Sequence, residues 1–327
     1  MKTVAFSSSL GGVGQTTLVY HLAWMFADHG IATLAVDLNP QANLTAMFLD
    51  DTRLESLWPD GDHPDTVLGG IRPLMRGTGD IASPHVERIT ANLGLLAGDP
   101  GLSACEDALS GAWPRCHNRE EYGFRATTAF YRLIRAAAAD SYPLVLIDVA
   151  AGLGAMNRSA LIASDQVCIP LAPDLFSIQG LKILGPTLRK WAASWDDLSG
   201  KAHAGLSLPT GGMQPIGYIL MQLEAFRGQL VAPYRHWMDR IPGVYREAVL
   251  GETGQAPTSV ADAPYCLSLL KHYRSLMPMA MEARKPIFFL KSADGAIGAH
   301  IEAVGSCYQD FQHLASRIAA KADIPFA

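Results

Sequence analysis

The residues of this chain best suited to chemistry lie in the run Ser7-Ser-Ser-Leu-Gly-Gly-Val-Gly-Gln-Thr-Thr-Leu18. Gly11, Gly12 and Gly14 let backbone N–H groups turn inward around an anion. A helix starting just beyond them would add partial positive charge, so the run has the form of a phosphate-binding loop. Thr16 stands where a hydroxyl would ligate Mg²⁺, but Gln15 fills the position that calls for a lysine. Two carboxylates complete the set. Asp37 and Asp148 each close an apolar run, and at neighbouring strand ends they would hold metal-bound water; ordinary strand-end capping is the other reading. Ser7, Ser8 and Ser9 have no Gly-x-Ser-x-Gly setting and read as strand-end packing. The ten histidines show no metal-ligand spacing. Cys105, Cys116, Cys168, Cys266 and Cys307 show neither zinc nor redox spacing, which predicts buried free thiols.

The elements that must position these groups follow from the pattern of apolar residues. Lys2 to Ser7 reads as a buried strand, Thr16 to His29 as a helix with Leu18, Leu22, Met25 and Phe26 on one face, and Ile31 to Val36 as a second buried strand ending in Asp37. A strand–helix–strand unit of this kind implies a parallel sheet. Residues 50 to 84 are rich in Pro, Gly and Asp and are periodic only around Val67 to Met75. A short strand at Leu93 to Ala97, loops, and a helix from about Ala126 to Ala139 follow. Pro143 to Asp148 is the clearest strand, with four apolar residues ending on the carboxylate. Further on come a helix near Asn157 to Ala163, a strand Gln166 to Leu171, a helix Ser177 to Trp195, a loop Leu198 to Gly212, a strand Pro215 to Met221, a helix Val231 to Arg240 and a last helix Ala299 to Lys321. With no repeat and no linker, this alternation predicts an α/β fold, a doubly wound, mostly parallel sheet flanked by helices. It would form one domain over 1–327, with an insertion at about 50–85.

Composition supports a protein with a large core. Of 327 residues, 49% are hydrophobic and 17% charged, and no apolar run approaches the roughly 18 to 20 residues of a membrane helix. The N-terminus lacks the apolar region of a signal peptide and reads as the first core strand of a cytoplasmic protein. A net charge of −5 gives no global basic field for nucleic acid. The segment Leu188 to Trp195 mixes basic and aromatic residues and reads as a solvated face with partly buried tryptophans.

Four motifs in order resemble the ParA/MinD family of deviant Walker-A ATPases. Leu10-Gly-Gly-Val-Gly-Gln-Thr-Thr17 is similar to its K-G-G-V-G-K-T-T loop, and Asp37-Leu-Asn-Pro-Gln-Ala-Asn43 to its D-x-D-P-Q-x-N motif. Leu144 to Gly154 resembles its Walker-B strand and following loop, and Pro170 to Leu181 its next segment. The resemblance covers roughly the first 190 residues. It implies a P-loop fold with ATP or ADP and Mg²⁺ as ligands, and homodimers that position a cargo such as a plasmid, a chromosome or a protein assembly. Phosphates would lie on Gly11, Gly12, Val13, Gly14, Gln15, Thr16 and Thr17. Mg²⁺ would be held by Thr16, Asp37 and Asp148, directly or through water, if nucleotide binds. Members often bind DNA nonspecifically, for which Arg274, Arg284, Lys285, Lys291, Arg317 and Lys321 are available, interspersed with acids.

The departures converge on one site. Gln15 and Leu10 stand at the family's two lysine positions, and Asn39 at that of its catalytic aspartate. An amide cannot act as a general base, and phosphoryl transfer rests almost wholly on positioning and charge stabilisation. Ala150-Ala151-Gly152 also departs from the usual Walker-B surroundings. The expectation is negligible ATP hydrolysis, with catalytic residues unassigned, and a site that holds ATP or ADP with Mg²⁺, another anion, or nothing. Two functions follow: a non-hydrolysing positioning, partition or scaffold factor acting through dimer and partner surfaces, or a slow ATP-dependent partitioning switch. The cargo and the protein partner are not encoded in any motif.

Overall fold

Strand β5 (Leu144–Val149) is apolar on both sides because both sides are covered. Leu144 and Leu146 join one core, while Val145, Ile147 and Val149 join another on the opposite face. The same alternation runs through β1 (Lys2–Phe6), β2 (Thr33–Leu38) and β6 (Gln166–Leu171). Strands buried on both faces read as continuous apolar runs, which is why these four were legible. The computed structural model describes residues 1–327 except 140, 204, 224, 227–228, 231, 255–258, 261–262 and 327.

The chain runs β1, α1 (Gln15–Asp28), β2, α2 (Asn43–Phe48), α3 (Asp51–Leu57), α4 (Val67–Met75), β3 (Glu87–Arg88) and β4 (Leu93–Leu96). Helices α5 (Glu106–His117), α6 (Glu121–Thr127) and α7 (Ala129–Ala138) lead to β5, α8 (Ala155–Ile162), β6, α9 (Leu175–Ser199) and β7 (Gln214–Leu223). A short hairpin, β8 (Ala225–Phe226) and β9 (Gln229–Leu230), precedes α10 (Ala232–Met238), α11 (Ile241–Val244), β10 (Cys266–Lys271), α12 (Leu276–Ala283) and α13 (Ala299–Lys321). Eight strands form one sheet in the order β10-β7-β6-β1-β5-β2-β4-β3, parallel throughout except for β3 against β4. Helices α4 to α9 cover one face; α1, α12 and α13 cover the other. The sheet is thus doubly wound and mostly parallel, as the alternation predicted. None of the described helices is long and apolar enough to cross a membrane, and all five cysteines are buried free thiols.

Several expectations need correction. The stretch between β4 and residue 126, read as loops, holds a 3-10 turn at Pro100–Cys105 and helices α5 and α6. Helix α5 was hidden because its buried side is only Leu109, Ala112 and Cys116 and Pro114 interrupts it. Strand β2 starts and ends two residues later than read, which places Asp37 inside the strand. The tryptophans of α9 are not partly buried. Trp195 is fully enclosed with its indole N–H donating to the Pro209 carbonyl at 3.0 Å, and Trp191 is 9% exposed. The long α9 carries a proline, Pro186, and starts at Asp174, whose side chain accepts from the Ser177 N–H. The helix read from Val231 appears as α10, and position 231 lies outside the described residues, as does 204 in the loop read at Leu198 to Gly212. Strand β10 and helix α12 were not foreseen.

Candidate functional site

The topology brings the loop and both carboxylates together. Strand β5 lies between β1 and β2, and its register pairs Asp37 of β2 directly with Asp148 of β5. The loop leaves the end of β1 next door and enters α1. Gly12 and Gly14 hold φ values of +83° and +87°, a region costly for residues with a Cβ. Gly14 is the N-cap of α1 and supplies no side-chain cap, so the first N–H groups of the helix are left for a ligand. A Cβ built on Gly11 or Gly12 meets nothing within 4 Å, so the loop faces open space. That space is a cavity of about 520 Å³, lined by Ser8, residues 10–17, 39–41 and 43, and residues 149–151. Every loop residue expected at the phosphates lines it, together with Leu10 and Asn39; Asp37 and Asp148 lie buried beneath.

Gln15 does not point its amide outward. Its Nε2 donates to Asp148 Oδ1 at 2.7 Å and to the Val149 carbonyl at 2.6 Å. Both partners are acceptors, which fixes the amide's orientation, and Gln15 Oε1 is left buried with no hydrogen-bond partner among the described residues. Thr16 Oγ1 donates to Asp148 Oδ2 at 2.7 Å, so each carboxylate oxygen of Asp148 already accepts one side-chain bond. Asp37 is held elsewhere. Its Oδ2 accepts from the N–H and hydroxyl of Thr45 at 2.9 and 2.8 Å, and its Oδ1 from the Asn39 N–H at 3.1 Å. Thr45 Oγ1 in turn accepts from the Gly98 N–H at 2.8 Å. Only glycine fits at 98, because a Cβ there would sit 2.7 Å from the Asp37 carboxyl carbon.

Burial pushes the Asp37 carboxyl above the usual carboxylate range, against the donors from Thr45 and Asn39. It pushes Asp148 up as well, helped by the charge of Asp37 and opposed by Gln15 and Thr16. No lysine, arginine or histidine is among the described residues lining the loop cavity. A lysine at 15 would have placed a cation between these acids and a bound phosphate; the amide places none.

The wall after β5 is tied down from three sides. Asn157 Nδ2 donates to the carbonyls of Ala150 and Gly152 at 2.9 and 2.7 Å. Glu106 accepts from the first N–H groups of α8, those of Ala155 and Met156, at 2.6 and 2.9 Å. Gln15 holds Val149 from the loop side. Thr45, Gly98, Glu106 and Asn157 carried no motif and went unread in the sequence, since each acts on a residue from another stretch or through a turn that only the fold defines.

A second cavity of about 220 Å³ was also unread. It shares Gly14 and Thr17 with the first and extends along Leu18 and His21 of α1 to Met221 of β7, Leu270 and Lys271 of β10, His272, Tyr273 and Phe311. His21 is fully buried there, its Nδ1 bonded to the Thr17 carbonyl at 2.7 Å and its Nε2 accepting from the Ile287 N–H at 3.0 Å. Burial lowers its pKa to about 4, so it is neutral at physiological pH. Of the basic residues considered for DNA, Arg284 is paired with Asp51 and Lys285 with Asp294, which weakens any cationic face they would form.

A family model described as an AAA domain matches residues 1–197. Protein IncC of Escherichia coli is 30% identical over 189 residues, 58% of this chain and 46% of IncC. Chromosome-partitioning ATPase Soj of Treponema pallidum is 29% identical over 194 residues, 58% of this chain and 64% of Soj. The chain therefore spans about half the length of IncC and less than two thirds of Soj. Protein DIP2308 of Corynebacterium diphtheriae superposes with a TM-score of 0.72 at 22% identity, over 98% of this chain and 99% of that one. An ATP complex of a Cyanothece McdA variant superposes with a TM-score of 0.65 at 16% identity, over 100% and 98%. At these identities the structural likeness shows the fold.

Proposed function

This chain belongs to the ParA/MinD superfamily of partition ATPases, whose AAA-domain model spans residues 1–197, and we propose that it is a member that holds nucleotide without hydrolysing it. It would act as a positioning or partition scaffold, as a homodimer and through a protein partner or cargo. One observation carries the reading. The residue at the loop's lysine position spends its amide on Asp148 and Val149, and no cationic side chain lines the loop cavity among the described residues. Phosphoryl transfer needs charge stabilisation at the transferred group and a positioned water. Leu10 and Asn39 supply neither a cation nor a base.

The residues present fit a phosphate chain better than they fit catalysis. The glycine backbone and the uncapped start of α1 cradle an anion over open space. Thr16, Asp148 and Asp37 are the groups that would hold Mg²⁺, directly or through water. Bound there, the ion would offset part of the phosphate charge, and the described residues lining the cavity add backbone dipoles, hydroxyls and neutral amides.

The other reading is a slow ATP-driven partitioning switch. The open cavity favours it, since Leu10 lines the site without filling it. Against it, no cationic side chain among the described residues lines the loop cavity to compensate at a terminal phosphate. Steady-state phosphate release from Mg²⁺–ATP separates the two. The proposal expects no release above the protein-free rate; sustained turnover refutes it. Nonspecific DNA binding is a separate proposal, read from the salt dependence of a mobility shift.

A further inference from the structure

We infer that this site takes a nucleoside diphosphate at least as readily as the triphosphate. The inference rests on the reading that nucleotide occupies the loop. The two cavities meet at Gly14 and Thr17, so one ligand can lie across both. The smaller one is walled by Leu18, Met221, Leu270 and Phe311 and suits a flat ring. The larger one, over the glycines, suits the phosphates.

Charge along that path is uneven. Lys271 is the one lysine or arginine among the described residues lining either cavity, and it stands at the ring end, paired with Asp310 at 3.3 Å. The first phosphates would meet the inward N–H groups of the loop and the start of α1, whose dipole is worth roughly half a positive charge. The rest of the cavity lining includes Leu10, Asn39 and Ala150, none of them charged. Beneath lie the carboxyl groups of Asp37 and Asp148, fully buried. Gln15 spends both N–H donors of its amide on Asp148 and the Val149 carbonyl, so it offers none to a phosphate oxygen. A third phosphate therefore adds negative charge where no cation lines the loop cavity among the described residues. The charge-assisted bond that would hold it, roughly twice as strong as a neutral one, is missing.

Isothermal titration of the full chain with adenosine, ADP and ATP, each with Mg²⁺ and with EDTA, tests this. The expected result is ADP binding as tightly as ATP or tighter, with Gln15→Lys moving the ratio at least tenfold toward ATP. Leu10→Lys, at the partly exposed margin of the loop, moves it in the same direction and serves if the buried substitution does not fold. Wild-type protein that binds ATP more tightly than ADP overturns the inference, as does a ratio that neither lysine changes. Binding of none of the three ligands overturns it together with the nucleotide-holding reading. ATP turnover, by contrast, sinks the non-hydrolysing reading while a measured ADP preference still stands.

Discussion

The side-chain amide of Gln15 donates to the carboxylate of Asp148 at 2.7 Å, across 133 positions of sequence. This single bond joins the loop that would cradle phosphates to the strand that would help hold a metal. It also turns the only side chain at the lysine position away from the ligand. Restoring the missing charges should therefore restore chemistry. The triple variant Leu10→Lys, Gln15→Lys, Asn39→Asp is expected to hydrolyse ATP measurably where the wild type does not, followed by phosphate release. Equal inactivity of both would mean that the defect lies elsewhere, for instance in the Ala150-Ala151-Gly152 wall.

Thr45 is the hub of the Asp37 side. Thr45→Val keeps the shape but removes the hydroxyl that donates to Asp37 and accepts from the Gly98 N–H. Leaving two buried polar groups short of a partner should cost about 2 kcal/mol. Chemical denaturation would show this as a lower midpoint with an unchanged slope.

Glu106 caps α8 from another helix, accepting from the Ala155 and Met156 N–H groups. Glu106→Ala should cost about 1 kcal/mol, in the range of a lost helix cap. Hydrogen exchange at those two amides should speed up more than exchange in β5, because the wall of the cavity loosens before the sheet does.

His21 makes stability depend on pH. Its folded pKa, lowered by burial to about 4, lies below the ordinary value of 6.5. Between those values the unfolded chain binds the proton that the folded chain refuses, so stability is full above about pH 6.5 and falls as the pH drops toward 4. The loss assigned to this residue approaches about 3 kcal/mol. His21→Gln, whose carbonyl can still accept from the Ile287 N–H, should show a flatter decline between pH 7 and 4.5 in thermal melts. An unchanged decline would exclude His21 as its source.

Much of this site was legible because the groups that shape it are local. The glycines, the helix after them, and the apolar runs ending near Asp37 and Asp148 each declare themselves within a few residues. That Asp37 and Asp148 are direct neighbours needed the sheet order, which places β5 between β1 and β2. The second cavity was unreadable because it is assembled from α1, the ends of β7 and β10, and α13. Strand β10 carries Ser268 and Lys271 among its apolar residues and has an alternation too weak to stand out. Helices α5 and α6 were missed because tertiary contacts, rather than a strong apolar stripe, hold them against α8 and α9.

The central claim is that the loop holds nucleotide without turning it over, and steady-state phosphate release from Mg²⁺–ATP by the unmodified chain tests it most directly. The account predicts a rate indistinguishable from the protein-free solution at every protein concentration. Release that rises in proportion to protein, and disappears on Gly12→Val in the loop, would contradict it.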